Sequence, residues 1–121
     1  MTLLRQDCSA TWQLPYESLD VVFSSNCLEH LPTKDALECT FLEAGRTLKP
    51  GGRFIAMGPN IKYIPVAYWD FIDHHLPLTE RSVLELMRKC GFEEEAQAFI
   101  LRPANTLIER IRWTAKTQFR S

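Results

Sequence analysis

Lys49-Pro50-Gly51-Gly52 stands between a helical stripe and an apolar β-type run, and this abrupt stop confines the chain to folds in which helices and strands alternate. On its N-terminal side Leu37, Phe41, Ala44 and Leu48 recur at helical spacing and make one apolar stripe. Thr33, just after Pro32, is placed to cap the first free amides of that helix. Lys49 complements the negative helix end, and Pro50-Gly51 suits the centre of a type II turn, Pro presetting the first φ and Gly permitting the positive second one. Beyond the stop, Arg53-Phe54-Ile55-Ala56-Met57-Gly58 reads as a strand. Upstream of the helix, Leu19-Asp20-Val21-Val22-Phe23-Ser24-Ser25-Asn26 reads as a buried strand whose carboxyl end falls at Ser25-Asn26.

The remaining segments continue the alternation. Leu3-Leu4-Arg5-Gln6-Asp7 reads as a brief strand. Thr79 caps a second helix with the stripe Val83, Leu86, Met87 and Cys90, and Gly91 ends it. Phe92 to Leu101 reads as a strand, and the stretch from Pro103 as a helix through Leu107, Ile108 and Ile111. Residues 61–78 are aromatic and irregular. Strands alternating with helices predict an α/β domain with a mainly parallel sheet covered on both faces.

A net charge of -1 provides no field favouring nucleic acid or an anionic membrane, and no apolar run approaches the length of a membrane span. The first residues carry no basic region followed by a long apolar stretch, so they do not read as a signal peptide. The four cysteines, at 8, 27, 39 and 90, form no CxxC pair and predict reduced thiols in a cytoplasmic protein rather than a zinc or iron-sulfur centre.

An ordered set of motifs carries a family resemblance. Asp7, Leu14-Pro15, Leu19-Asp20-Val21-Val22-Phe23-Ser24-Ser25 and Leu28-Glu29-His30-Leu31 are followed by Glu43, Arg46 and Leu48-Lys49-Pro50-Gly51-Gly52. Together they resemble the small-molecule (type 11-like) branch of class I, Rossmann-like S-adenosylmethionine-dependent methyltransferases. His75-Leu76-Pro77-Leu78-Thr79-Glu80-Arg81-Ser82, with Gly91-Phe92 after a helix, is similar to that family's next segment. The resemblance implies a sheet with strand order 3-2-1-4-5-7-6, in which residues 3–7, 19–25 and 53–58 supply the third, fourth and fifth strands. It implies S-adenosylmethionine as cofactor. Asp7 and Cys8 would approach the adenine, Asn26 and Cys27 would line the methionine portion, and Glu29-His30 would open toward a small organic methyl acceptor, with His30 as catalytic residue. Ligands in such sheets lie beyond the carboxyl ends of the strands.

The family's first two strands, with a Gly-rich loop and an acidic strand end, have no counterpart among the few residues before Asp7. Lys116 to Ser121 resembles the beginning of the family's last strand. The expectation is therefore a single partial domain over 1–121, not catalytically autonomous. The alternative is a non-catalytic methyltransferase-fold module that dimerises or binds a partner. Without those strands, residues 19–25 form an exposed apolar edge with three outcomes: residues 3–7 move beside it, another chain complements it, or, the favoured one, copies self-associate through it as a homodimer.

Each functional reading has a plainer counterpart. His30 can serve as a general base because its unperturbed pKa lies near neutrality, or as a structural hydrogen-bonding group at a helix start. Asp7 is an adenine ligand or a residue that caps a turn. His74-His75 reads as surface histidines, with no metal expected. Residues 61–78 are a substrate lid or a loop packed over the sheet. The basic stretch 103–121 is a solvated helix with one apolar face, or a membrane- or partner-binding helix.

Overall fold

The computed structural model describes the backbone of residues 1–63, 69–100 and 110–117, and the side chains of 1–62 and 69–93. Its elements are β1 (Leu19–Ser25), α1 (Lys34–Thr47), β2 (Leu48–Pro59), α2 (Glu80–Lys89), β3 (Phe92–Ile100) and β4 (Arg110–Thr117), with single 3-10 turns at Leu28–His30 and Ile61–Tyr63. The strands form one sheet in the order β1-β2-β4-β3. β1 runs parallel to β2, with Val22 opposite Phe54 and Ser24 opposite Ala56. β4 is antiparallel to both β2 and β3, so β1, β2 and β3 share one direction and β4 opposes them. If the first three strands are taken as the fourth, fifth and sixth of the implied sheet, and β4 as the seventh, the observed order is 4-5-7-6.

Local sequence explains the elements. Thr33 Oγ1 accepts the Ala36 amide at the start of α1. Thr79 and Ser82 form a reciprocal capping box at the start of α2. The start of β2, where its register against β1 shifts between Leu48 and Arg53, needs both of its glycines. Gly51 has φ +79°, and a Cβ on Gly52 would lie 2.9 Å from the Lys49 carbonyl oxygen and 3.1 Å from that of Asp20.

Both described helices bury their stripes against the sheet face that carries Phe54 and Ala56. Leu37, Phe41, Ala44 and Leu48 join Val83, Leu84 and Met87 in one core. Phe41, Phe54 and Phe92 meet edge to face with centroids 5.5–6.5 Å apart. Full burial of side chains of this size contributes about 1.5–3 kcal/mol each. The opposite face presents the alternate residues: Val21 and Phe23 are 50% and 60% exposed, and Ile55 and Met57 are half-buried.

Two expected elements differ. Residues 3–7 form no strand: Leu3 is 86% exposed, and no strand among the described residues lies alongside to pair with it. Residues 110–117 are a strand rather than the continuation of a helix through Ile111, and the last strand begins at Arg110 rather than near Lys116. The expected helical start at 103–109 lies outside the described residues.

Candidate functional site

The carboxyl end of β1 is where the sequence reading converges, and the backbone there turns sharply. Asn26 holds a left-handed φ of 53° while its amide donates to the Met57 carbonyl at 2.8 Å. Asparagine tolerates this conformation better than most residues. The bend sends Cys27 out of the sheet and starts the 3-10 turn at Leu28–His30.

Residues 8–18 fold back toward this end, and α1 holds them. The Arg46 guanidinium donates to the carbonyls of Trp12 and Leu14 at 3.0 and 2.9 Å, and to Glu43 Oε2 at 2.8 Å. Glu43 Oε2 in turn accepts the Trp12 amide at 3.0 Å, and the guanidinium carbon sits 4.9 Å from the centre of the Tyr16 ring. Burial works to raise the Glu43 pKa, but the hydrogen bond from Arg46 and that from the Trp12 amide hold it below the usual value. The motif residues Glu43 and Arg46 are thus a clamp on the segment that leads into β1. Their role was not assigned from sequence, although their α-helical spacing of three places them on one face.

The clamped segment closes a cavity of about 270 Å³ lined by Cys8, Trp12, Phe23, Ser25, Cys27 and Leu28, among others. Trp12 is fixed there by its indole N–H donating to the Cys8 carbonyl at 2.8 Å. Of the expected cofactor residues, Cys8 and Cys27 meet in this cavity. The Cys27 thiol beside it, aided by the Thr40 hydroxyl, lowers the Cys8 pKa to about 6. The same contact, with burial, pushes the Cys27 thiol up. Asp7 is exposed and makes a tight turn: its Oδ1 accepts the Ser9 amide at 2.8 Å and the Ser9 hydroxyl at 2.7 Å. These bonds lower its pKa.

His30 does not line this cavity. Its Nδ1 lies 2.8 Å from the Asp73 carbonyl oxygen, and its ring is 5.1 Å from that of His74. A carbonyl can only accept, so this bond needs the proton on Nδ1, while Nε2 lies 3.6 Å from Glu29 Oε1. The Glu29 carbonyl accepts the His75 and Leu76 amides, both at 3.0 Å. Residues 73–76 are therefore fastened onto the turn at Leu28–His30. His30, Asp73 and His74 also bring possible ligand atoms within 4.8 Å of one another, a grouping the sequence reading of His74-His75 did not foresee because His30 is remote in the chain.

Two further features were not foreseen. Asn60 and Glu80 are buried beyond the end of β2, where Glu80 accepts from the Asn60 amide and from Lys62. A larger cavity of about 700 Å³ lies between α1, α2 and residues 76–78, and none of the expected site residues lines it.

Comparison with known proteins follows the sheet. Residues 1–56 match the family described as a methyltransferase domain. No curated protein matches the chain by sequence. Among solved structures, a S-adenosylmethionine-dependent methyltransferase from Methanosarcina mazei superposes with a TM-score of 0.78 at 17% identity, over 95% of this chain and 66% of that one. The 1,6-didemethyltoxoflavin-N1-methyltransferase of Burkholderia thailandensis, solved with bound 1,6-didemethyltoxoflavin and S-adenosylhomocysteine, gives 0.70 at 19% identity, over 93% of this chain and 48% of that one. The cyclase SpnF gives 0.72 at 14% identity, over 93% of this chain and 55% of that one. The chain thus spans less than two thirds of the length of each of these structures. At such identities the likeness establishes the fold, and the presence of a cyclase among them shows that the reaction must be argued from the site.

Proposed function

From the premise that residues 1–56 match a methyltransferase domain and the sheet has the fold of S-adenosylmethionine-dependent methyltransferases, we propose that this chain forms part of a site that methylates a small organic acceptor. The observation that carries the reading is the cavity at the carboxyl end of β1, in the position where α/β sheets of this kind hold ligands. At about 270 Å³ it falls just short of the roughly 300–1,000 Å³ of complete ligand sites. It therefore suits one planar, largely apolar portion of the cofactor, the adenine, flanked by Trp12 and Phe23. Asp7 spends Oδ1 on Ser9, and Oδ2 takes neither of those bonds, so it can accept from an exocyclic amine. Backbone groups at Asn26 and Cys27 would follow the cofactor along the end of β1.

S-adenosylmethionine supplies an electrophilic methyl group on a sulfonium. Transfer of that group depends chiefly on alignment of the acceptor, and the chain's own contribution is positional. Residues 73–76, tied to Glu29 and His30, would form the acceptor side, with His30 Nε2, beside the Glu29 carboxylate, as the atom that would take a proton from the acceptor. No helix among the described residues is long and apolar enough to cross a membrane. The four free cysteines suit a reducing compartment, and we place the chain in the cytoplasm. The outer edge of β1, unpaired among the described strands, is the surface through which we expect copies to associate. Sedimentation across a wide range of concentration checks this, and a chain that stays monomeric throughout overturns it.

Nuclear magnetic resonance titration with S-adenosylhomocysteine tests the main reading. Saturable shifts at the amides of Asp7, Cys8 and Cys27, weakened in Asp7→Ala, are the expected result. Unmoved amides at millimolar ligand would remove the cofactor site from this chain.

A further inference from the structure

The geometry points to a function for Cys8 and Cys27 beyond contact with a cofactor: they form a peroxide-reactive thiol pair whose oxidation to a disulfide staples residues 8–18 to the end of β1. Both line the same cavity, one arriving on the clamped N-terminal segment and the other on the turn after Asn26. Neither is in a disulfide, and Cys27 is exposed. Of the two, Cys8 is the one biased toward thiolate, with the Cys27 thiol as the first cause. A low-pKa thiol with a second thiol beside it is the arrangement that redox-responsive cysteines use. Cys90 contrasts with them: burial pushes its thiol up to about 11, and its sulfur faces the Glu38 carbonyl rather than another cysteine.

The step balances with hydrogen peroxide as oxidant. The Cys8 thiolate attacks one peroxide oxygen, the O–O bond breaks, and hydroxide leaves and is protonated to water. Cys8 is then a sulfenic acid. The Cys27 sulfur attacks the Cys8 sulfur, the S–O bond breaks, and the departing hydroxide takes the Cys27 proton as a second water. Two thiols are oxidised, one peroxide is reduced, and a dithiol reverses the change. The pair closes the space proposed above for the adenine. Its chemistry does not depend on that reading and stands if the cofactor titration fails.

The test is a mass-spectrometric map of the full chain after stoichiometric peroxide. Arg5 and Lys34 bound a single tryptic peptide that contains both cysteines, and Glu17 lies between them. The expected result is a loss of two hydrogens from peptide 6–34, two halves that stay joined after cleavage at Glu17, and full reversal by dithiothreitol. Cys39 and Cys90 should remain open to alkylation. Before oxidation, Cys8 should alkylate at neutral pH about tenfold faster than Cys39. In Cys27→Ser, a sulfenic acid should accumulate on Cys8 and be trapped by dimedone. Equal alkylation of Cys8 and Cys39, cross-links to Cys39 or Cys90 instead, or linkage only between separate chains would overturn the proposal.

Discussion

The two faces of the sheet are built from neighbouring residues and meet different fates. Phe54 and Ala56 are fully covered, whereas Arg53, Ile55 and Met57, one residue out of step, face the other way beside Val21 and Phe23. The period-2 alternation of a strand makes this unavoidable: covering one face leaves the other to whatever else is available. Both described helices went to the Phe54 face because their stripes, from Leu37 to Leu48 and from Val83 to Met87, interlock with each other as well as with the strands. The covered face nevertheless reaches the candidate site, because Phe54 belongs to the core and also lines the cavity at the end of β1, together with Val22 and Thr40. One face holds the domain together. The end of β1, reached from residues 8–18, carries the candidate chemistry.

Substitutions can break or sharpen that contrast. Phe54→Ala should cost the most, about 3–5 kcal/mol by urea denaturation, because it empties the meeting point of three aromatic rings. A cost near that of a surface change would show that the helix face is not the core. Gly52→Ala should follow at about 1–3 kcal/mol, since the added carbon meets backbone oxygens that have little room to move. Arg46→Met removes the donor to the Trp12 and Leu14 carbonyls, and by the general cost of unpaired groups should weaken their docking by about 1–3 kcal/mol. Hydrogen exchange should report it as faster exchange at residues 8–18 with β2 unchanged. Uniform acceleration would mean that the clamp supports the whole fold. Phe23→Ser, on the open face, should stay within about 0.5 kcal/mol, and any larger loss should vary with protein concentration.

Acid separates the regions as well. The folded-state Glu43 pKa lies below its unfolded value, so its contribution is present above about pH 4.5 and is lost as pH falls through the lowered folded value. Residues 8–18 should therefore loosen in acid before the core melts, and Glu43→Gln should remove that pH dependence. Coincident loss of both regions in the wild type would contradict the separation.

Much of the fold was legible because it rests on local signals. The strand at 19–25 and the Thr33 and Thr79 caps occupy the expected places, but that strand has no fully buried residue, and the next one begins at Leu48 rather than Arg53, with Pro50-Gly51-Gly52 inside it. Residues 3–7 were misread because a strand is a property of a pair, and two leucines supply no partner. The stretch from Arg110 was misread because Leu107, Ile108 and Ile111 suggest a helical stripe, while Arg110-Ile111-Arg112-Trp113-Thr114 alternates and the alternation prevailed once β2 and β3 flanked it. Within the site, motif spacing pointed to the end of β1. The meeting of Cys8 with Cys27, and that of His30 with Asp73 and His74, depend on loops folding back and leave no periodic trace in the sequence.

The position of β4 has a consequence for how the molecule is made. It is the last of the described strands to leave a ribosome, yet it lies between two strands that precede it. β1, α1 and β2 can assemble as soon as they emerge, since each touches its neighbour in sequence. β3 has β4 as its only partner in the described sheet, so it waits unpaired, its backbone groups open, until residues 110–117 arrive and slide in beside β2. During synthesis that interval is the period of greatest risk of mispairing, and in refolding the insertion of β4 should set the slow step.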